Sequence, residues 1–218
     1  MTKSLPVIAV DGPAAAGKGT LAKCLADALC LPYLDTGLLY RAVGRLMLDG
    51  DLDPATQSGE QIAAALRPDD LKRTDLRTPD VDRAASLVAG DQAVRQALVH
   101  TQRAFAAERG GVLDGRDIGT VIFPDADVKL YITASVRTRA ERRYMQTGGS
   151  VDAPDREARI SEVEAALTER DRADTSRSAA PLRMAADAVK IETDTLIAEQ
   201  VLAEAIRIVK SVLDAKAF

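Results

Sequence analysis

Residues 5–20 read LPVIAVDGPAAAGKGT, and this stretch decides the fold. Leu5–Asp11 is a short apolar run with β-branched residues, the pattern of a buried strand. Gly12 and Gly17 then bracket a proline and three alanines. Lys18-Gly19-Thr20 leads into Leu21, Leu25, Ala28 and Leu29 at helical spacing. A strand, a glycine-bounded turn and a helix start in that order make a phosphate cradle. Glycines let several backbone N–H groups point inward, and the helix N-terminus adds partial positive charge. A lysine in this position reaches β- and γ-phosphates, and a hydroxyl reaches Mg²⁺.

Reading outward, Pro32 ends the first helix, Pro32–Asp35 is a second short strand, and Leu38–Leu48 is helical. Val112–Asp114, Asp127–Thr133 and Ala188–Ile191 are further strand candidates. Helical patterns cover Asp91–Arg109, Val136–Gln146, Asp155–Asp171 and Thr195–Ala215. Strands alternating with helices predict an α/β fold with a parallel sheet covered on both faces. Asp51–Asp91, rich in Asp, Arg, Pro and Thr, reads as a small inserted lobe. Thr147–Pro154 (TGGSVDAP) is irregular, and its glycines would let a lid move.

Composition narrows the classes. The chain has 218 residues, enough for one domain with a sizeable core. No apolar run is long enough to span a bilayer, and the N-terminal apolar stretch stops at Asp11 without a signal cleavage site. A cytoplasmic location is the expectation. Two cysteines, Cys24 and Cys30, and one histidine, His100, leave no disulfide framework and no His-rich metal site. A net charge of −4 speaks against long nucleic acid as a partner. From Arg137 to Arg183 every basic residue is arginine, ten in all, a residue whose planar fork suits phosphate.

The GxxxxGK pattern in a strand–helix context is that of a P-loop. Gly19 stands where a Ser or Thr usually follows the lysine, with Thr20 next. This GKGT form is seen in nucleoside-monophosphate kinases. The chain has no asparagine, so the Asn-Lys-x-Asp motif of regulatory GTPases is absent.

Four further segments occur in order with the P-loop: LDTGLLYR (Leu34–Arg41), DGRDIGTVIFPDA (Asp114–Ala126), ERDRADTSRSAAPL (Glu169–Leu182) and AVKIETDTLIAEQV (Ala188–Val201). Together they resemble bacterial cytidylate kinase over nearly the whole chain, the DGRD block most specifically. The resemblance implies a P-loop NTPase-type fold with a five-stranded parallel sheet, a nucleotide-binding insert and a helical lid. Its expected boundaries are a core of about 1–50, 92–138 and 175–218, an insert of 51–91 and a lid of 139–174. It implies transfer of the ATP γ-phosphoryl group to CMP or dCMP, with Mg²⁺, by a monomer, UMP being a poorer acceptor. Departures are Ala15 and Thr36 where relatives carry other small or hydroxyl residues, an insert shorter than in the longer bacterial forms, and Thr175-Ser176 in the last motif.

Roles follow from the required chemistry. Gly12, Pro13, Ala14, Ala15, Ala16, Gly17, Lys18, Gly19 and Thr20 are expected to hold ATP, Lys18 on the transferred group and Thr20 at Mg²⁺. Asp35 and Asp114 are either metal-side acids or a helix cap and a turn residue. Arg41, Arg95 and Arg116 are phosphate candidates, and the family pattern carries Arg41, Arg95, Arg170 and Arg177 to the acceptor site. Cytosine presents an amino donor beside N3 and O2 acceptors. Asp174 with Arg95, helped by Thr36 and Ser86, matches that edge. Arg170, Asp174 and Arg177 would share one helix face, as a site or as a surface ion pair. Asp117 would orient an arginine or touch the ribose. Arg139, Arg142 and Arg143 are lid candidates for screening transition-state charge, two or three of them expected to face solvent. Two other classes are open: a nucleotide-binding regulator or scaffold without kinase activity, and a nucleic-acid binder using the arginine segment.

Overall fold

The computed structural model describes residues 5–107 and 109–216. Residues 1–4 of the stretch judged not to be a signal, residue 108 of the predicted helix 91–109, and the last two residues of the 1–218 domain lie outside them. Five strands form one sheet: β1 (Val7–Asp11), β2 (Tyr33–Asp35), β3 (Gly111–Gly115), β4 (Val128–Thr133) and β5 (Val189–Glu192). The order is β2-β3-β1-β4-β5, and every pairing is parallel. β1 is central, with Ile8 opposite Val112 on one side and Val128 on the other.

Strand period two assigns the faces. Ile8, Val10, Val112, Leu130 and Ile132 pack with Leu21 and Leu25 of α1 (Lys18–Leu29) and Ile208 of α8 (Ala198–Lys216). Ala9 and Leu113, on the opposite face, pack with Ala106 of α5 (Gln92–Ala107) and with Ile118 and Ile122. Burial on both faces explains why β1 reads as a continuous apolar run and not an alternating one. All five predicted strands are present. β5 lies at the sheet edge, with three of its four residues exposed.

Several elements differ from the sequence reading. α2 (Thr36–Asp49) starts two residues earlier than predicted. Segment 51–91, read as poor in apolar residues, contains α3 (Glu60–Ala64), a 3₁₀ turn at Pro68–Lys72 and α4 (Pro79–Val88). In α4, Val81, Ala84, Ala85 and Val88 are buried at i, i+3, i+4 and i+7, with Pro79 at the helix start. Small alanines made that stripe hard to see. α6 (Val136–Gln146) matches the prediction, while α7 (Arg156–Ser176) runs five residues beyond it. Among the described residues no helix is long and apolar enough to cross a membrane.

α4 lies against α2 at Gly44, where a Cβ would stand 3.0 Å from both Ala84 Cβ and Ala85 N. Overpacking such a helix crossing costs about 1–3 kcal/mol. Gly44→Val is therefore expected to lower stability by about that amount in urea unfolding. An unchanged midpoint would show that α4 shifts freely on α2.

Candidate active site

The C-terminal ends of β1, β2 and β3 open into a cleft of about 650 Å³. The turn after β1 forms its floor. Gly12 takes φ +146°, and a Cβ there would stand 2.0 Å from Ile132 O, so only glycine lets the turn pass β4. Gly17, at φ +87°, caps the start of α1. Ala14, Ala15, Gly17, Lys18, Gly19 and Thr20 line the cleft, whereas Gly12, Pro13 and Ala16 are buried beneath it. The Lys18 side chain is buried, and its Nζ donates to Pro13 O at 2.9 Å. Burial first, and then the Arg116 charge, pull its pKa down to about 7.

Behind this floor Asp11 accepts hydrogen bonds from Ile118 N at 2.8 Å and Gly119 N at 2.7 Å. The contact fixes the one-turn π-helix Ile118–Ile122 that follows Arg116 and Asp117. Burial raises the Asp11 pKa to about 6. The sequence reading treated Asp11 only as the end of a strand. Its position before the first glycine was the available signal.

On the β2–β3 side, Tyr33 Oη donates to Asp114 Oδ1 at 2.9 Å and Thr36 Oγ1 donates to Asp114 O at 2.7 Å. Burial, followed by the like charge of Asp35, raises Asp114 to about 6. Asp35 occupies the N-cap position of α2 without a capping hydrogen bond, and its carboxylate pairs with Arg77 at 3.0 Å. The cap alternative is thus not realised for Asp35. Tyr33, absent from the sequence reading, is placed by the same β2–β3 pairing.

The opposite wall is made of ion pairs. Asp174 is almost fully buried and accepts from Arg116 Nε at 2.9 Å and pairs with Arg177 Nη2 at 2.5 Å. Burial alone would raise its pKa, but Arg116 and Arg177 hold it below the usual carboxylate range. Arg95, expected to read the base edge together with Asp174, lines the same cleft. It forms a buried pair with Asp117, donates to Ala89 O at 3.1 Å and stacks 5.6 Å from the Tyr40 ring centroid. Arg177 is not on the predicted helix face either. It is the residue after α7, with extended ψ, and its side chain reaches back to Asp174. Arg170 lines the cleft with its Nε buried and unpaired. Burial and the Arg116 charge push its pKa down to about 10.

Thr36, Arg41, Ser86, Arg143, Asp117 and Arg95 also line this cleft. Arg139 does not. It is buried, donating to Ala134 O and Ala14 O at 3.1 Å each and to Asp171 at 2.6 Å. Arg142 bonds Thr193, and Arg143 bonds Asp82 at 3.0 Å. Of the three α6 arginines expected to face solvent in two or three cases, Arg139 is buried, while Arg142 and Arg143 are partly exposed and each also meets an acceptor. His100 and both free cysteines are exposed, away from the cleft.

An orphaned, buried guanidinium N–H facing a cavity calls for an anion. Backbone amides of a helix start and a buried lysine on the opposite side do the same. The cleft thus brings the glycine-bounded turn with Lys18 and an arginine-lined wall into one cavity.

A family model described as cytidylate kinase matches residues 8–211. The cytidylate kinase of Granulibacter bethesdensis is 54% identical over 205 residues, covering 94% of this chain and 96% of its own. That of Acidiphilium cryptum is 52% identical, covering 98% of this chain and 99% of its own. A solved gluconokinase from Sinorhizobium meliloti shares the fold at a TM-score of 0.54 and 14% identity, covering 99% of this chain and 98% of that one. With its floor, its walls and nearly its whole length accounted for in this way, the chain belongs to the cytidylate kinase family.

Proposed function

We propose that the chain transfers the γ-phosphoryl group of ATP to CMP and dCMP, giving ADP and CDP or dCDP, in the cytoplasm and as a monomer. The observation that carries this reading is Arg170: a half-buried arginine in the lining of the cleft that also holds the phosphate cradle, with its Nε shielded and unpaired. Phosphoryl transfer needs in-line positioning and neutralisation of charge, not a protein nucleophile. Residues 12–20 hold the ATP phosphates, with Lys18 on the transferred group. Arg41, Arg116 and Arg170 take the acceptor phosphate. Arg143, at the mouth, screens charge on closure of segments 51–91 and 139–174. Arg139 is a positioning residue, since its guanidinium is committed to Ala14 O and Asp171.

Mg²⁺ bound with ATP would neutralise phosphate charge. The donor set fits such a hard cation: the Thr20 hydroxyl lines the cleft, and the Asp114 and Asp35 carboxylates stand on the same side.

Base selection follows from protonation states. Arg116 and Arg177 keep Asp174 ionised, so it only accepts hydrogen bonds. The Thr36 hydroxyl hydrogen is already given to Asp114 O, leaving lone pairs to accept. Both groups suit the cytosine amine and oppose the uracil carbonyl, while Arg177 supplies donors for N3 or O2. Ser86 and the Arg95–Asp117 pair complete the acceptor wall. A nucleotide-gated regulator is the second reading, but nothing in the cleft favours it over a two-substrate site.

Two experiments test these assignments. In a coupled assay for ADP with CMP, dCMP, UMP, AMP and GMP, CMP and dCMP are expected to lead. Losing a hydrogen-bonded, charged specificity group costs a few kcal/mol, so Asp174→Ala should lower kcat/KM for CMP about 100-fold. It should also narrow the CMP-over-UMP preference while the KM for ATP stays close to its original value. An intact preference in that variant would remove Asp174 from base reading. ATP hydrolysis that ignores the acceptor would support the regulator instead.

The second concerns Lys18. Burial and the Arg116 charge lower its pKa well below that of a free lysine, which favours the neutral amine at alkaline pH without nucleotide. Phosphate oxygens favour the charged form, so nucleotide binding at pH 8 should take up close to one proton. Calorimetry in buffers of different ionisation enthalpy measures this directly. Lys18→Met should abolish the uptake, and equal uptake in both proteins would assign the proton elsewhere.

A further inference from the structure

Asp82 lies on α4 and meets two arginines from two other helices. Arg41 of α2 pairs with its Oδ1, and Arg143 of α6 reaches its Oδ2 at 3.0 Å. Arg41 and Arg143 both line the cleft, and Asp82 stands behind them, outside the lining. The Arg41–Asp82 pair is well shielded, with side-chain exposures of 13% and 20%. Arg41 also donates to Leu76 O at 2.9 Å, so a second contact places it.

We propose that Asp82 is a resident counter-anion of the acceptor-phosphate site, holding Arg41 and Arg143 until a phosphate competes for them, and thereby setting the affinity for the phosphate group of the acceptor. The proposal rests on the assignment of Arg41 to the acceptor phosphate. Three features support it. The carboxylate faces two guanidinium groups, Oδ2 hydrogen-bonded by Arg143 and Oδ1 in ion-pair contact with Arg41 but without a hydrogen bond of its own, and a phosphate would satisfy the same two cations. The arginines come from separate elements, α2 and α6, so the carboxylate joins opposite sides of the mouth. The wall is also crowded with positive charge: Arg41 and Arg116 both disfavour the charged form of Arg170, whereas Asp82 favours it. A phosphate arriving beside Asp82 gains the arginines but meets a like charge, and part of its binding energy is spent against that repulsion. On departure of the product, Asp82 re-forms its pairs and eases release.

A neutral residue of the same shape isolates this effect. Asp82→Asn keeps the side-chain volume and removes the charge, while Leu76 O still places Arg41. In calorimetric titrations Asp82→Asn should bind CMP about tenfold more tightly, equal to about 1.4 kcal/mol. It should bind cytidine, which has no phosphate, as the original protein does. The gain should shrink as salt rises. Asp82→Glu, which keeps the charge, should retain the original ratio of CMP to cytidine affinity, and Asp82→Ser should repeat the Asn result if the Asn variant folds poorly. An unchanged or lower CMP-to-cytidine ratio in the neutral variants would overturn the proposal, as would an equal gain for cytidine. If the original protein binds CMP no more tightly than cytidine, the acceptor-phosphate assignment itself falls, a result separable from loss of the Asp82 effect alone.

Discussion

The structure depends on keeping charge out of water at one edge of a parallel sheet. Lys18, Arg95, Asp11, Asp114, Asp117 and Asp174 are all buried there. Each isolated buried charge would cost several kcal/mol, and a half-paired group would cost most of that. The fold answers with fixed partners: backbone amides for Asp11, a carbonyl for Lys18, arginines for Asp117 and Asp174. The apolar packing of both sheet faces holds these partners in register. β1 is the pivot, because its neighbours β3 and β4 deliver Asp114 and the carbonyl of Ile132 against the same turn.

The two sides of the cleft use different physics. The side proposed to hold ATP is backbone: helix-start amides, glycine-permitted turns and a lysine held by a carbonyl. Backbone groups cannot rearrange without breaking the β1–β4 contact, so this side is preformed. The wall proposed to take the acceptor is built from guanidinium–carboxylate pairs contributed by α2, α4, α5, α7 and the loop after β3. Such pairs can exchange a carboxylate for a phosphate at small net cost, because both partners remain charge-assisted hydrogen bonds. A floor that stays and walls that exchange suit a transfer in which one phosphate is gripped while the other arrives.

Much of the fold was legible in the sequence, and the reason is local. All five strands follow from short apolar runs, and the cradle follows from glycine spacing before a helix. Helix α4 was missed because two of the four residues in its buried stripe are alanines and Asp and Arg stand between them. Val81, Ala84, Ala85 and Val88 carry the right period but little hydrophobic weight. The site was legible by residue and not by pairing. Arg95, Asp174, Arg116 and Arg177 do converge on one cleft, yet which acid meets which arginine depends on tertiary placement. Arg95 comes from α5 and meets Asp117 beyond β3, 22 positions away, while Asp174 meets Arg116 across 58 positions. Periodicity along one helix carries no information about such partners. It also could not show that α7 stops at Ser176, leaving Arg177 to fold back onto Asp174 from an extended residue.

Arg139 shows how far residue type alone falls short of role. It sits among arginines suited to phosphate, but all three of its donor nitrogens are spent on Ala134 O, Ala14 O and Asp171. A guanidinium with its hydrogen bonds satisfied by buried acceptors gains little from a new anion, because it must first leave those acceptors unpaired. Arg170 is the reverse case, half-buried with its shielded Nε–H unmet. The donor test separates the two: Arg139 is almost fully buried and committed, whereas Arg170 is half-buried at the cleft wall with an unmet donor, which is why we assign Arg170 to a ligand. The same test, applied to Arg41 and Arg143, finds them occupied by a carboxylate that a phosphate can replace, an arrangement intermediate between the committed and the reserved.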